Sequence, residues 1–137
     1  MDTILDYKYY KHIYRVSYIT FFTSLYGCYN GYYDLALCPT GIFLSSIYYW
    51  KKPDYSYRRY LDMVVVKTAI VYQHYMVYNA QYANLYYLIF FTGKLAYLLG
   101  IYFYKKKNYW ASTYCHIGLH ILANLATIVV YSGYINL

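Results

Sequence analysis

The chain has 137 residues, of which 61% are hydrophobic and only 12% are charged, whereas soluble domains carry about 25% charged residues. Its 27 tyrosines keep the mean hydropathy at a modest +0.20, although tyrosine is amphipathic and suits membrane interfaces. The chain has a net charge of +7, and its basic residues lie beside apolar segments. This placement fits membrane topology and binding to anionic headgroups, and it argues against binding to nucleic acid. The three cysteines have neither the number nor the spacing of a disulfide scaffold or a zinc ribbon.

Positive charge is confined to a few short segments. Of the twelve Lys and Arg residues, three lie near the N-terminus, four follow Trp50 and three follow Phe103. Apolar segments lie between and beyond these places, and the alternate connections carry no Lys or Arg. In multi-pass membrane proteins, cytoplasmic connections keep positive charge and translocated connections lack it. The pattern therefore predicts an integral membrane protein with its N-terminus inside and its C-terminus outside.

The first two predicted spans form a hairpin. The first covers about residues 16–33 and is closed by Asn30-Gly31, a strong turn dipeptide. The second covers about residues 35–50, with Pro39 near its start, where a missing N–H costs little, and Trp50 at its end as an interfacial anchor. At about sixteen residues, it is short for a hydrocarbon core of ~30 Å.

Three further spans follow, at about residues 60–80, 84–104 and 109–134. An uncharged turn joins the third span to the fourth, and a basic segment joins the fourth to the fifth. The segments are too long, and alternate too little, to be barrel strands, and only helices or closed barrels satisfy their backbone in lipid. We therefore predict an all-α protein with a single transmembrane domain over residues 1–137, a bundle of five transmembrane helices.

A pair of histidines lies within the fifth span. His116 and His120 are four residues apart and so lie about 40° apart on one helical face, a stripe that Ser112 and Asn124 extend. Such a pair can present two imidazole nitrogens to one metal ion, but a catalytic zinc needs a third protein ligand. The other interpretation is a polar stripe that hydrogen-bonds to neighbouring helices and holds the bundle together.

Other polar residues group by their depth in the spans, as estimated from helical rise. The inner layer comprises Ser45, Ser46, Asp62, Lys67 and His116, and the midplane layer comprises His74, Lys94 and His120. Structural interpretations remain open for most of them. Asp62 can form an interfacial ion pair with Arg58 and Arg59, Lys67 can extend its ammonium to the inner surface, and His74 can be a hydrogen-bonded bundle residue. Lys94 lies too deep to extend its ammonium to the surface, so we expect either that Asp34 is its partner or that Lys94 is neutral.

Three polar elements follow one another along the spans: Ser45-Ser46 in the second, Asp62 in the third and His116-x-x-x-His120 in the last. This order resembles the core of a membrane hydrolase superfamily, that of the alkaline ceramidases and progestin/adiponectin receptors. The resemblance implies a zinc ion held by three histidines, with Asp62 as general base and Ser46 polarising a lipid amide or ester. This chain has five predicted helices where the family has seven. It has no histidine after Ser46 on the second helix, so His74 would have to be the third ligand.

A second resemblance is to small, tyrosine-rich, multi-pass membrane proteins of large DNA viruses. The segments that carry it are 46–54, 60–63 and 115–124. This likeness is an overall one and implies a viral membrane protein without an assigned activity.

We expect, as the primary interpretation, a structural or interaction component of a membrane. One alternative is the zinc-dependent hydrolase, with metal ligands His116, His120 and His74. A second is a small proton-coupled transporter that uses Lys94, His74 and His120 as a relay. The expected partner is the bilayer itself, and assembly into a homo-oligomer is left open. Anionic headgroups are expected to bind at the basic residues Lys51, Lys52, Arg58, Arg59, Lys105, Lys106 and Lys107.

Overall fold

A computed structural model describes residues 2–137, and over that range its regular secondary structure is all helical, with no strand. The prediction of an all-α fold is confirmed. The six helices of the described chain are α1 (Tyr7–Val16), α2 (Ile19–Tyr29), α3 (Tyr33–Trp50), α4 (Tyr57–Val77), α5 (Ala83–Lys105) and α6 (Tyr109–Tyr131).

The segment predicted as the first span, residues 16–33, does not form one helix. It contains the end of α1, a break at Ser17-Tyr18, and α2. The break is a tight turn in which the Tyr18 N–H donates to the Arg15 carbonyl and the Thr20 N–H to the Ser17 carbonyl, three residues back. The 11 residues of α2 extend only about 16 Å, about half of a hydrocarbon core.

The first helix is amphipathic and basic. Leu5, Tyr9 and Ile13, spaced four apart, are buried, and the Tyr9 ring packs against Trp110 of α6 with centroids 4.9 Å apart. Lys8 and Arg15 are exposed. This helix therefore lies against one end of the bundle with its basic side outward.

The helices form a row with α4 beside α3, α3 beside α2, α2 beside α6, and α6 beside α5, while α1 contacts α6 and α3. The α5–α6 pair packs closely because Gly93 and Gly100 bring the backbones together. A Cβ at Gly93 would lie 3.2 Å from Leu122 Cβ, and one at Gly100 would lie 3.3 Å from Cys115 Cβ. The C-terminal part of α4 meets α5 and α6 through Val77 and Tyr86, both fully buried.

The distribution of side chains differs from that in an ordinary soluble bundle. Serine, threonine, glutamine, histidine and asparagine side chains are buried between helices, nearly as often as hydrophobic ones. Large apolar side chains point outward along every helix, including Phe22, Leu88 and Leu95, each more than 60% exposed. Among residues 2–137, the long helices α5 and α6 are apolar enough to cross a membrane by length and composition, and only 22% and 33% of their most apolar windows are buried.

Candidate functional site

The first polar cluster lies between α3 and α4 and consists of Ser45, Ser46 and Asp62, hereafter the inner cluster. Asp62 Oδ1 accepts hydrogen bonds from the Ser45 hydroxyl at 2.9 Å and from the Ser46 hydroxyl at 3.2 Å. Both serines are buried, at 7% and 3% exposure. The structure thus brings together three residues that the depth estimate placed in one layer.

Asp62 does not form the ion pair with Arg58 or Arg59 that the sequence left open. Arg58 instead pairs with Asp54 at 3.1 Å, the one ion pair within residues 2–137. Asp62 lies one helical turn beyond Arg58 on α4, and its carboxylate points to the serines of α3. The inner cluster is therefore a contact between two helices through hydroxyl donors.

The histidine stripe (Ser112, His116, His120 and Asn124) runs along α6. The rings of His116 and His120 have centroids 5.0 Å apart, and His116 also contacts the Trp50 ring at 4.9 Å. Asn124 Nδ2 donates to the His120 carbonyl at 2.7 Å and to Thr20 Oγ1 at 3.2 Å, and its Oδ1 accepts from Thr23 at 2.8 Å. The stripe therefore joins α6 to α2 and α3.

His74 is taken up by α5 instead of joining the histidine stripe. Its Nδ1 lies 2.8 Å from the Tyr86 hydroxyl, and its ring packs edge-on against Phe90 at 4.7 Å. Tyr87 donates its hydroxyl to the His74 carbonyl at 2.6 Å. The side chain and carbonyl of His74 are thus both engaged with residues of α5.

The residues present do not fit the zinc ion that the hydrolase resemblance implies. No group of three His, Cys, Asp or Glu residues in the described chain is placed to hold a metal ion, and a catalytic zinc takes three protein ligands. His116 and His120 are neighbours, but His74 is not with them. The proposed base, Asp62, and Ser46 bond to each other between α3 and α4.

The two lysines within the predicted spans are both exposed. Lys94 Nζ lies 5.9 Å from the centroid of the Phe91 ring and has no carboxylate partner within the described range. No hydrogen bond in that range joins Lys94 to His74, or either of them to His120. A continuous hydrogen-bonded relay among these three residues is therefore not formed.

Sequence reasoning missed a further polar group, the glutamine cluster of Gln73, Tyr86, Thr127 and Tyr131. Gln73 is 5% exposed; its Nε2 donates to the Tyr86 hydroxyl at 3.0 Å and to Thr127 at 3.2 Å. The Tyr131 hydroxyl lies 3.1 Å from Gln73 Oε1 and 3.0 Å from the Leu35 carbonyl. The cluster links four helices. The sequence did contain a signal for this cluster, because Gln73 places a carboxamide inside an otherwise apolar segment.

The basic connection between α3 and α4 is ordered by Arg58 and Asp54. Arg58 donates to the carbonyls of Tyr48 at 3.0 Å and Lys52 at 2.6 Å, as well as to Asp54. The Ser56 N–H donates to Asp54 Oδ1 at 3.0 Å. The pKa of Asp54 is lowered mainly by hydrogen bonding to the Ser56 side chain. The Ser56 N–H and the nearby Arg58 guanidinium lower it further.

The ionised Asp54 should make stability depend on acidity. Its pKa is lower in the folded protein than in an unfolded chain, where an aspartate titrates near about 3.9. Its stabilising effect is therefore complete above that value and is lost as the pH falls below it. We expect Asp54→Asn to flatten the decline in the thermal unfolding midpoint below about pH 4. An unchanged slope in the variant would contradict this role.

Comparison of the chain with protein-family models, with characterised proteins and with solved structures finds no match. The fold defines an all-helical protein in which two helices have the length and composition of membrane spans.

Proposed function

We propose that the chain is a multi-pass integral membrane protein that acts as a structural or interaction component of its membrane. The observation that carries this proposal is the distribution of side chains, with many large apolar residues outward and hydroxyl, amide and imidazole groups buried between helices beside the apolar core. Monomeric soluble proteins rarely expose contiguous apolar patches larger than a few hundred Å². In a bilayer the same surface is solvated by lipid.

The buried polar groups support this environment. Water cannot satisfy polar groups in hydrocarbon, so helices there must pair them with one another. The inner cluster, the glutamine cluster and Asn124 of the histidine stripe do so, and no buried side-chain N or O atom in residues 2–137 lacks a partner. His74 hydrogen-bonds to Tyr86 of α5 and the His116 ring packs against Trp50 of α3, so both histidines take part in contacts between helices.

The orientation is supported by the meeting of all three basic segments at one end of the bundle. The Ile4 N–H donates to the Pro53 carbonyl at 2.9 Å, and the Tyr104 hydroxyl donates to the Ile4 carbonyl at 3.0 Å. The N-terminal segment thus bridges the two basic connections. We infer that this basic end faces the cytoplasm. On this view α1 lies along the inner surface, and α2 through α6 occupy the bilayer.

Cysteine labelling tests this orientation. In a background with Cys28, Cys38 and Cys115 changed to serine, we expect Asn84→Cys to react with a membrane-impermeant maleimide in intact cells. Lys52→Cys should react only after permeabilisation, because it lies at the basic end. Reaction of both in intact cells would overturn the orientation. Release of the protein from membranes by alkaline carbonate would overturn integral insertion itself.

A further inference from the structure

A groove runs along the outer surface between α3 and α4. It consists of two adjoining hollows of about 480 and 360 Å³, which share Gly41 and Val65. Asp34 and Tyr72 lie at one end, and Tyr48 and Leu61 at the other. Both hollows are shallow and open to the outside along their length.

The groove exists because a glycine forms its middle. A Cβ at Gly41 would meet only Val65 Cγ1, at 3.5 Å, so the space above this position is open. Asp34 and Tyr48 are separated by fourteen residue steps on α3, which correspond to about 21 Å of helix. One leaflet of a ~30 Å hydrocarbon core is about 15 Å deep. The groove is thus long enough to take a chain from a single leaflet.

One end of the groove is basic and the other is not. Lys51 is the C-cap of α3, three residues after Tyr48, Lys52 follows it, and both are exposed. Arg58, which precedes Leu61 by three residues, donates to the Tyr48 carbonyl at 3.0 Å. The opposite end carries the exposed carboxylate of Asp34. This polarity matches an amphiphile with an anionic head at the Tyr48 end.

We propose that the groove binds one acyl chain of an anionic glycerophospholipid of the inner leaflet, with its phosphate at Lys51 and Lys52. This inference rests on the proposed membrane insertion, since only then does the groove face lipid. The apolar walls recognise the chain, and the two ammonium groups favour an anionic over a zwitterionic head. The site would give the protein a preference for membrane regions rich in anionic lipid.

Competition between two lipids with the same chains tests the proposal. Purified protein in neutral detergent is mixed with equal amounts of phosphatidylglycerol and phosphatidylcholine, and retained lipid is counted by native mass spectrometry. We expect one phosphatidylglycerol to be retained in preference to phosphatidylcholine. Gly41→Leu should fill the groove and reduce retention about tenfold, while Lys51→Gln/Lys52→Gln should remove the headgroup preference but keep chain binding.

A matched control is available on another helix. A Cβ at Gly118 on α6 would meet nothing within 4 Å, so Gly118→Leu should leave lipid retention unchanged. If Gly41→Leu does not fold, as judged by circular dichroism, Ala69→Leu on the opposite wall replaces it. Equal retention by wild type and the groove variant would overturn the site. The site would also be overturned if the groove variant changed the oligomeric state without changing lipid retention, since that would indicate a second copy of the chain in the groove. Either result leaves insertion, tested by carbonate extraction, unaffected.

Discussion

Gly27→Ala should lower the free energy of unfolding by about 2 kcal/mol, because overpacking a filled helix contact typically costs about 1–3 kcal/mol. A Cβ at Gly27 would lie 2.8 Å from Tyr131 Cε2 and 3.2 Å from Ala36 Cβ. The Tyr131 ring cannot move away easily, since it is 1% exposed and its hydroxyl contacts the Leu35 carbonyl and Gln73. The added methyl group therefore forces α2 away from α3 and α6.

Gly118→Ala provides the control for this substitution. A methyl group at Gly118 meets nothing within 4 Å, and alanine favours a helix over glycine by up to about 1 kcal/mol. The control should thus be neutral or slightly stabilising. Unfolding by a denaturing detergent in mixed micelles, followed by circular dichroism, measures both variants. Equal stability of the two variants would show that Gly27 does not lie at a tight contact.

Much of the helical framework could be predicted from the sequence, because apolar runs and turn residues define where helices start and end. The second predicted span, 35–50, corresponds to α3, and the last three correspond to α4, α5 and α6 within a few residues. The turn at Asn30-Gly31 is present, with Gly31 at φ 82°. The helix α1 was not predicted; it ends at Val16, where the first predicted span begins, and α2 covers only residues 19–29 of that span.

The position of a polar residue along its helix could be estimated from the sequence, but its direction around the helix could not. Counting residues along a helix gave similar depths for Ser45, Ser46 and Asp62, and these do meet. The same counting placed His74 at the level of His120, yet His74 faces the aromatic side chains of α5. The face that one helix presents to another depends on close-packing contacts such as that of Gly93 with Leu122. The periodicity of hydrophobic residues in the sequence does not specify such contacts.

The strongest test of the bundle's polar interior is Gln73→Ala, for which we expect a loss of about 2–4 kcal/mol in the free energy of unfolding. Each interhelical hydrogen bond in a membrane protein contributes about 0.6 kcal/mol on average, and Gln73 makes three side-chain contacts. The shortened side chain also leaves a cavity at a position that is 5% exposed. Such cavities add a further cost, because the surrounding structure relaxes only partly.

Gln81→Ala separates the effect of a buried carboxamide from that of glutamine in general. Gln81 is exposed, and its side chain only accepts from the Tyr134 N–H at 3.0 Å, so its removal should cost less than about 1 kcal/mol. Titration with denaturing detergent compares the two variants directly. Because Gln73 joins α4 to α5 and α6, its loss should also loosen the end of α4, exposing amides of residues 73–77 to hydrogen exchange. A Gln73→Ala protein as stable as Gln81→Ala would mean that the glutamine cluster does not stabilise the bundle.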